Sequence, residues 1–385
     1  MILGFFQKRF FFPVACSALL LQACVNEPGT VGSGIIPASD LTQADTLALS
    51  ATRSYGLSSV SDSLTLPLVI AVGKTANLEA WGLVMFDGFA SVFDSIAVQS
   101  VELRLRATYH LGDSLGQFSL AVRKALASWQ GSTFKYSDLR QPGFYEEPAR
   151  STHTLGAIGD TADIVIPLDT ALVNEWFKTD STNPNFGIVL EPTNTTVIKG
   201  FVTPQLYVIY QHPDSSTADT VTFSAPVGDY RFVAAAADTT FLQDSTLIQV
   251  RGGAAYRGIA EFDIAALPRF SAIHRALLEV FADAPGSDFS SAVSDSLIAL
   301  FSDELGLVAR IEAVSEVSEG TGQKIYTFNI TSFTQLWVQG FGIPRIGLRT
   351  YNERNGVDGF SVHGAAATDS LRPRLRIIYS STTNP

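Results

Sequence analysis

The residue types best suited to chemistry lie between 129 and 147. Trp129, Phe134, Tyr136, Phe144 and Tyr145 crowd one stretch together with Lys135, Asp138 and Arg140. Flat aromatic faces beside hydrogen-bonding groups are what recognition of a sugar ring requires. Trp129, Tyr136, Arg140, Phe144 and Tyr145 are therefore the candidate ligand-binding residues. The competing reading is packing, with Trp129 and Phe134 plugging the end of a β-sandwich. Glu146 and Glu147 follow in the same loop. Glycoside hydrolysis uses two positioned carboxylates, so this pair is the place to look for it, although a solvated loop is the plainer account. Glu102 sits on the polar side of a regular strand and is a poor candidate.

Elsewhere the chemical signals are sparse. The histidines are His110, His153, His212, His274 and His363, and none stands in metal-binding spacing. They read as surface or packing residues. The chain carries no Gly-x-Ser-x-Gly elbow, no Walker loop, no dinucleotide fingerprint and no His-Glu-x-x-His. The loop from Tyr351 to Gly359 is polar and open to a ligand or a calcium ion, but it departs from the order of an EF-hand, and a turn is the simpler account. No catalytic residue and no cofactor is assigned, with a structural calcium ion left open.

The remaining reactive residue is Cys24, at the end of Leu19-Leu20-Leu21-Gln22-Ala23-Cys24. Lys8 and Arg9 precede the apolar run Phe10–Ala15 and Leu19–Leu21, which is short for a membrane span of about 20 residues and fits a secretory leader. Large Leu21, small Ala23 and then cysteine resemble a bacterial lipoprotein signal. Residues 1–23 would be removed and Cys24 acylated, and each buried methylene would contribute about 0.8 kcal/mol to anchorage. The implied address is the cell envelope, as an outer-membrane lipoprotein that is periplasmic or surface-exposed. Cys16 would leave with the leader, so the mature chain has no disulfide, cysteine nucleophile or cysteine-based zinc site. Residues 24–45 read as a tether, broken by Asn26-Glu27-Pro28-Gly29 and Gly32-Ser33-Gly34.

Positioning these residues falls to the 362 that remain of 385, enough for two domains. Hydrophobic content is 46% and net charge −11. So acidic a chain offers no field for nonspecific binding to nucleic acid. Abundant Thr, Ser, Val and Phe favour strands.

Three landmarks recur in order. Gly82–Asp87 (GLVMFD) matches Gly258–Asp263 (GIAEFD), each followed by a strand, Ser100–Leu105 and Arg275–Val280. Ile166–Trp176 matches Phe328–Trp337, where a strand enters a short helix. Leu172 with Trp176, and Phe333 with Trp337, face one side of that helix. Asp169 or Thr170, and Thr331 or Ser332, are the expected N-caps. Phe186–Leu190 matches Ile346–Thr350, and Pro204–Tyr210 matches Pro373–Tyr379. The expected fold is all-β: two tandem antiparallel β-sandwich, jelly-roll-like domains with few short helices. The first spans 46–212 and the second, more divergent, 219–382, joined by the linker 213–218. Ser291–Glu304 reads as helix or irregular insertion, and Ala234–Ala237 as a possible helical turn.

The run Leu83–Asp87, Val98–Leu105, Val122–Trp129, Ile166–Trp176, Asn183–Gly187 and Pro204–Tyr210 resembles the secreted β-sandwich domains called DNRLRE domains. These are related to disaggregatase-type modules and to a carbohydrate-binding module family that includes alginate binders. The second half matches more weakly and lacks a counterpart of Trp129. The leader and Gly34–Asp40 resemble a poorly characterised lipoprotein family of the Bacteroidetes. The leader, the paired sandwiches and the lack of catalytic motifs together lead to the expectation of a non-catalytic envelope lipoprotein, held to the membrane through Cys24, that contacts a glycan or an envelope protein through sandwich loops. The alternatives are a polysaccharide-processing enzyme with carboxylates between the domains, and a structural spacer or assembly lipoprotein.

Overall fold

Alternation of apolar and polar residues becomes strand almost throughout. In the computed structural model, residues 44–58, 68–89, 96–130, 134–178, 184–292, 294–303, 306–320 and 322–381 are described. Cys24, the leader and nearly all of the tether lie outside them. The described residues open with β1 (Asp45–Ser50) and β2 (Arg53–Ser58). The chain continues through β3 (Ile70–Lys74), β4 (Leu78–Val84), β5 (Ala97–Gly112), β6 (Phe118–Lys124), β7 (Ser151–Gly156), β8 (Asp163–Leu168), β9 (Ile188–Pro192) and β10 (Val197–Gln211). Then come β11 (Asp219–Ser224), β12 (Tyr230–Ala236), β13 (Leu247–Arg251), β14 (Tyr256–Glu261), β15 (Ala272–Phe281) and β16 (Leu297–Ser302). The last are β17 (Leu307–Val314), β18 (Glu316–Gly320), β19 (Gln323–Asn329), β20 (Arg345–Thr350), β21 (Gly359–His363) and β22 (Arg374–Ser380). The protein is all-β and multi-sheet, with a few short helices.

A ten-stranded sheet runs β7-β6-β9-β4-β3-β10-β5-β8, with β11 added on β10 and β12 on β4. In β5 the odd positions Val101, Leu103, Leu105, Ala107, Tyr109 and Leu111 are buried, the period of two expected of a strand with one covered face. The sheet curls around a core that includes Ile70, Val84, Leu103, Phe118, Ile166 and Leu206. It nearly closes into a barrel, with β7 and β8 as its two edge strands.

The second core lies between two sheets. One runs β17-β16-β20-β14-β13-β21 with β2 on β14, the other β1-β22-β15-β19-β18. Val250, Ala260, Leu297 and Leu348 from the first meet Ala276, Leu278, Phe328 and Ile377 from the second.

The repeat is visible in the pairing. β4 pairs β9 as β14 pairs β20, and β5 pairs β10 and β8 as β15 pairs β22 and β19. The leading strands of each repeat are exchanged. β1 pairs with β22 and β2 with β14, far along the chain, while β11 and β12 pair back onto β10 and β4. A third apolar cluster (Val69, Ala71, Tyr109, Leu111, Ile198, Phe232 and Val357) fills the seam between the halves.

Local expectations fare unevenly. Helix Thr170–Phe177 buries Leu172 and Trp176, and the Asp169 side chain caps it by accepting from the Ala171 amide at 2.9 Å. Helix Thr331–Val338 buries Phe333 and Trp337 but has Ile330 as its N-cap residue. Thr331 Oγ1 is turned to accept from the Ala276 amide at 2.9 Å, and Asn329 Oδ1 takes the Thr331 amide at 3.2 Å. Ala234–Ala236 belong to β12, because pairing with β4 outweighs alanine's helical preference. Within Ser291–Glu304, Leu297–Ser302 form β16, buried along its whole length.

Candidate functional site

After β6 the chain leaves the sheet and folds back over its outer face. Ala125 bridges Tyr145, and the Leu126 amide donates to the Phe144 carbonyl at 2.8 Å. Between these anchors stands the four-residue helix Tyr136–Leu139, opened by the Lys135 amide donating to Asp138 Oδ2 at 3.0 Å. Beneath lie Trp81, Leu83 and Met85 with Val189 and Val233.

All five sequence-derived candidates meet in this cluster, at different depths. Trp129 is 1% exposed, and its Nε1 donates to the Phe186 carbonyl at 2.7 Å. Phe144 is buried, with its ring centroid 5.1 Å from that of Phe134. Neither ring offers a face to a ligand. Tyr136 and Tyr145 are half-buried, and Arg140 is exposed. Tyr145 stacks on Trp81 at 5.7 Å and 29°, with the Arg123 guanidinium 5.1 Å from its ring centroid. Arg140 lies 4.9 Å from the Trp81 ring centroid. The Tyr136 hydroxyl donates to the Glu79 carboxylate, and burial together with that carboxylate pushes the phenol well above its ordinary pKa. What remains accessible is a rim: the Arg140 guanidinium and the edges of Tyr136 and Tyr145. Trp81, on which the rim rests, escaped the sequence reading, although it stands immediately before the first repeat landmark at Gly82.

Glu146 and Glu147 are divided between two arginines. Glu146 pairs with Arg150 at 2.5 and 3.0 Å, and Glu147 pairs with Arg123. Arg123 also binds Glu191 at 2.5 Å, and Arg150 also binds Glu175 at 2.9 Å and Asp169 at 3.4 Å. Lys124 reaches Glu175 at 2.6 Å. Burial raises the Glu175 carboxyl, but hydrogen bonds and charge from Lys124 and Arg150 outweigh it and hold it below the ordinary range. The network ties the loop to β6, β9 and helix Thr170–Phe177.

A second polar cluster crosses the seam. His110 Nδ1 lies 2.8 Å from Asp160 Oδ2, Ser291 Oγ donates to the same carboxylate at 2.6 Å, and buried Lys199 reaches its other oxygen at 3.4 Å. Here the carboxylate stands between serine and histidine, so the histidine is not placed to take the serine proton as in a nucleophilic triad. The order of groups suits a clasp between the halves.

The loop from Tyr351 to Gly359 is a series of turns against the seam. Glu353 makes two 2.8 Å bonds to Arg257, both side chains being buried, and Asp358 Oδ1 accepts from the Ser290 amide at 2.6 Å. Among the described residues no group of three or more His, Cys, Asp or Glu is arranged to hold a metal ion.

No protein-family model and no curated protein matches the chain. Among solved structures it is similar to a protein from Parabacteroides distasonis inferred to be secreted. That match is 11% identical and covers 88% of this chain and 100% of the other, with a TM-score of 0.22. A likeness so slight carries no argument about fold or function.

Proposed function

We propose that the chain is a non-catalytic lipoprotein of the bacterial cell envelope. In this reading its two β-sandwich, jelly-roll-like halves, joined by exchanged strands, are held on the membrane by lipid on Cys24. They contact an envelope glycan through the rim of Tyr136, Arg140 and Tyr145. The observation that carries the contact is the stacked support of the rim. Trp81, Trp129 and Phe144 are buried under it and fix two tyrosine edges and one exposed guanidinium on a rigid face, as weak recognition of a polar surface requires. The apolar filling of the seam and the ion-paired state of Glu146 and Glu147 favour binding over hydrolysis.

Two measurements test the reading. A glycan array with the full chain should show binding that falls at least about tenfold in the Tyr145→Ala/Tyr136→Ala variant, with near-UV circular dichroism unchanged. Undiminished binding in that variant removes the rim from the site. Mass spectrometry of the envelope fraction should find acyl chains on Cys24 and none in Cys24→Ser.

A further inference from the structure

Two large side chains stand out from the second half. Phe270 is 74% exposed and Phe341 61% exposed. Singly, exposed apolar residues need no explanation, but these two share one end of the molecule. The Phe270 amide donates to the carbonyl of Val338, and the Phe341 amide to that of Leu336, both in the last turn of helix Thr331–Val338.

The backbone is shaped to present both rings. Phe270 has φ +62°, a left-handed conformation that a bulky side chain adopts only under strain. Phe341 stands between Gly340 and Gly342, both at positive φ (+87° and +70°), and a Cβ on Gly342 would lie 2.4 Å from the Phe301 ring. Arg269, beside Phe270, is exposed as well.

The same end is where the chain enters the fold. Asp45 of β1 is level with Tyr379 of β22, which is level with Ile273 of β15. At about 4.8 Å per strand, the start of β1 lies roughly 10 Å from Ile273, three residues beyond Phe270. Upstream, residues 24–43 connect this point to Cys24. A coil of that length spans on the order of 25 Å, and about 70 Å at full stretch. A lipid on Cys24 thus tethers the molecule to the bilayer from this end.

We propose that Phe270 and Phe341 dip into the interfacial layer of the membrane that holds the lipid, so that the protein stands on the bilayer by its tether end. The proposal rests on the lipid-anchor reading and adds an orientation to it. Aromatic rings with a neighbouring arginine suit the headgroup boundary. The tether makes even weak insertion effective, because the second contact is intramolecular.

The test uses the full acylated chain in vesicles of phosphatidylethanolamine and phosphatidylglycerol brominated on their acyl chains. The native tryptophans Trp81, Trp129, Trp176 and Trp337 are at most 5% exposed and report little from outside. Emission added by Phe270→Trp or Phe341→Trp should fall about twofold on the brominated vesicles, while that of the parent chain stays constant. Unquenched emission from a chain whose mass shows acylated Cys24 overturns the orientation and leaves the anchor standing. If the acyl mass is missing, the anchor reading fails, and insertion is read on unacylated Cys24→Ser at high vesicle concentration. There Phe270→Ser/Phe341→Ser should lower the bound fraction roughly tenfold. Equal partition of the two chains overturns the proposal.

Discussion

The two halves share a pairing scheme and differ in how it is closed. In the first, β10 is one strand of 15 residues, pairing with β3 through Ile198–Phe201 and with β5 from Val197 to Gln211 across three register shifts. In the second, the same two jobs fall to β21 and β22, with residues 364–373 between them. One continuous strand gives one curled sheet, and an interrupted strand gives two sheets facing each other. The buried faces are alike in both. Closure is therefore set by the continuity of one strand rather than by what fills the core. A second difference sits at one equivalent position. Trp81 precedes Gly82 as Arg257 precedes Gly258. The first half covers this position with aromatic rings and a loop, the second with the buried Arg257–Glu353 pair.

The largest test sets these two covers against each other. Trp81→Ala should cost about 3–5 kcal/mol through lost packing. Glu353→Ala should cost a similar 3–5 kcal/mol, because it leaves the Arg257 guanidinium without its buried carboxylate. The two should part company on repair. Replacing Arg257 and Glu353 together by Met and Leu should recover most of the loss, since paired buried charges are often worth no more than an apolar pair. Denaturant unfolding measures all of these. A double variant as unstable as Glu353→Ala would show that the pair is more than a cover.

The strand exchange predicts effects that jump along the chain. Phe223 on β11 follows the linker but packs in the first core, so Phe223→Ala should cost about 3 kcal/mol and loosen β5 and β10. Leu49 on β1 precedes the first half but packs in the second core, and Leu49→Ala should cost about 2 kcal/mol and loosen β15 and β22. Amide hydrogen exchange reads which strands lose protection. Loss confined to each residue's sequence neighbours would break the exchange.

Much of this was legible in the chain and some was not. Alternation in Ser100–Leu105, the Phe-Asp landmarks and the Trp-bearing turns marked strands and helices that the structure contains, because each is a local pattern with one buried face. The exchange was a matter of partner choice between strands with similar patterns, which local periodicity does not encode. A signal was nonetheless present. Ala44-Asp45-Thr46 and Ser50-Ala51 are echoed by Ala218-Asp219-Thr220 and Ser224-Ala225, which places β1 and β11 at the same point of the repeat. At the aromatic cluster the sequence gathered residues that the fold brings together, and left open between packing and exposure how deep each one lies. Trp129 and Phe144 face inward because Trp81, distant in sequence, completes the layer that covers them.

Acid should weaken the seam. Burial raises the Asp160 carboxyl, but bonds from Ser291 and His110 and charge from His110 and Lys199 outweigh it and hold it low. A carboxyl lower in the folded state than its unfolded value of about 3.9 contributes stability above that value, and loses it as pH falls through the folded one. The chain should therefore lose part of its stability below about pH 4, and Asp160→Asn should flatten that limb of the profile. An unchanged limb would place the acid sensitivity elsewhere, with Glu175 of the first half as the next group to replace.

The smallest effect should have the opposite sign. If Phe270 were kept for folding, replacing it would destabilise the second half, as removing Leu49 does. Its ring is largely in solvent and its backbone is in a conformation that glycine adopts without penalty. Phe270→Gly should therefore leave stability unchanged or raise it by up to about 1 kcal/mol, since relief of the strained φ is partly offset by the greater freedom of glycine in the unfolded chain. A gain in thermal midpoint would mean that the native residue carries strain that folding does not require, as a residue serving a surface contact would. A loss of more than about 1 kcal/mol would mean that the ring stabilises the end of helix Thr331–Val338, and the outward face of the second half would then need no partner to explain it.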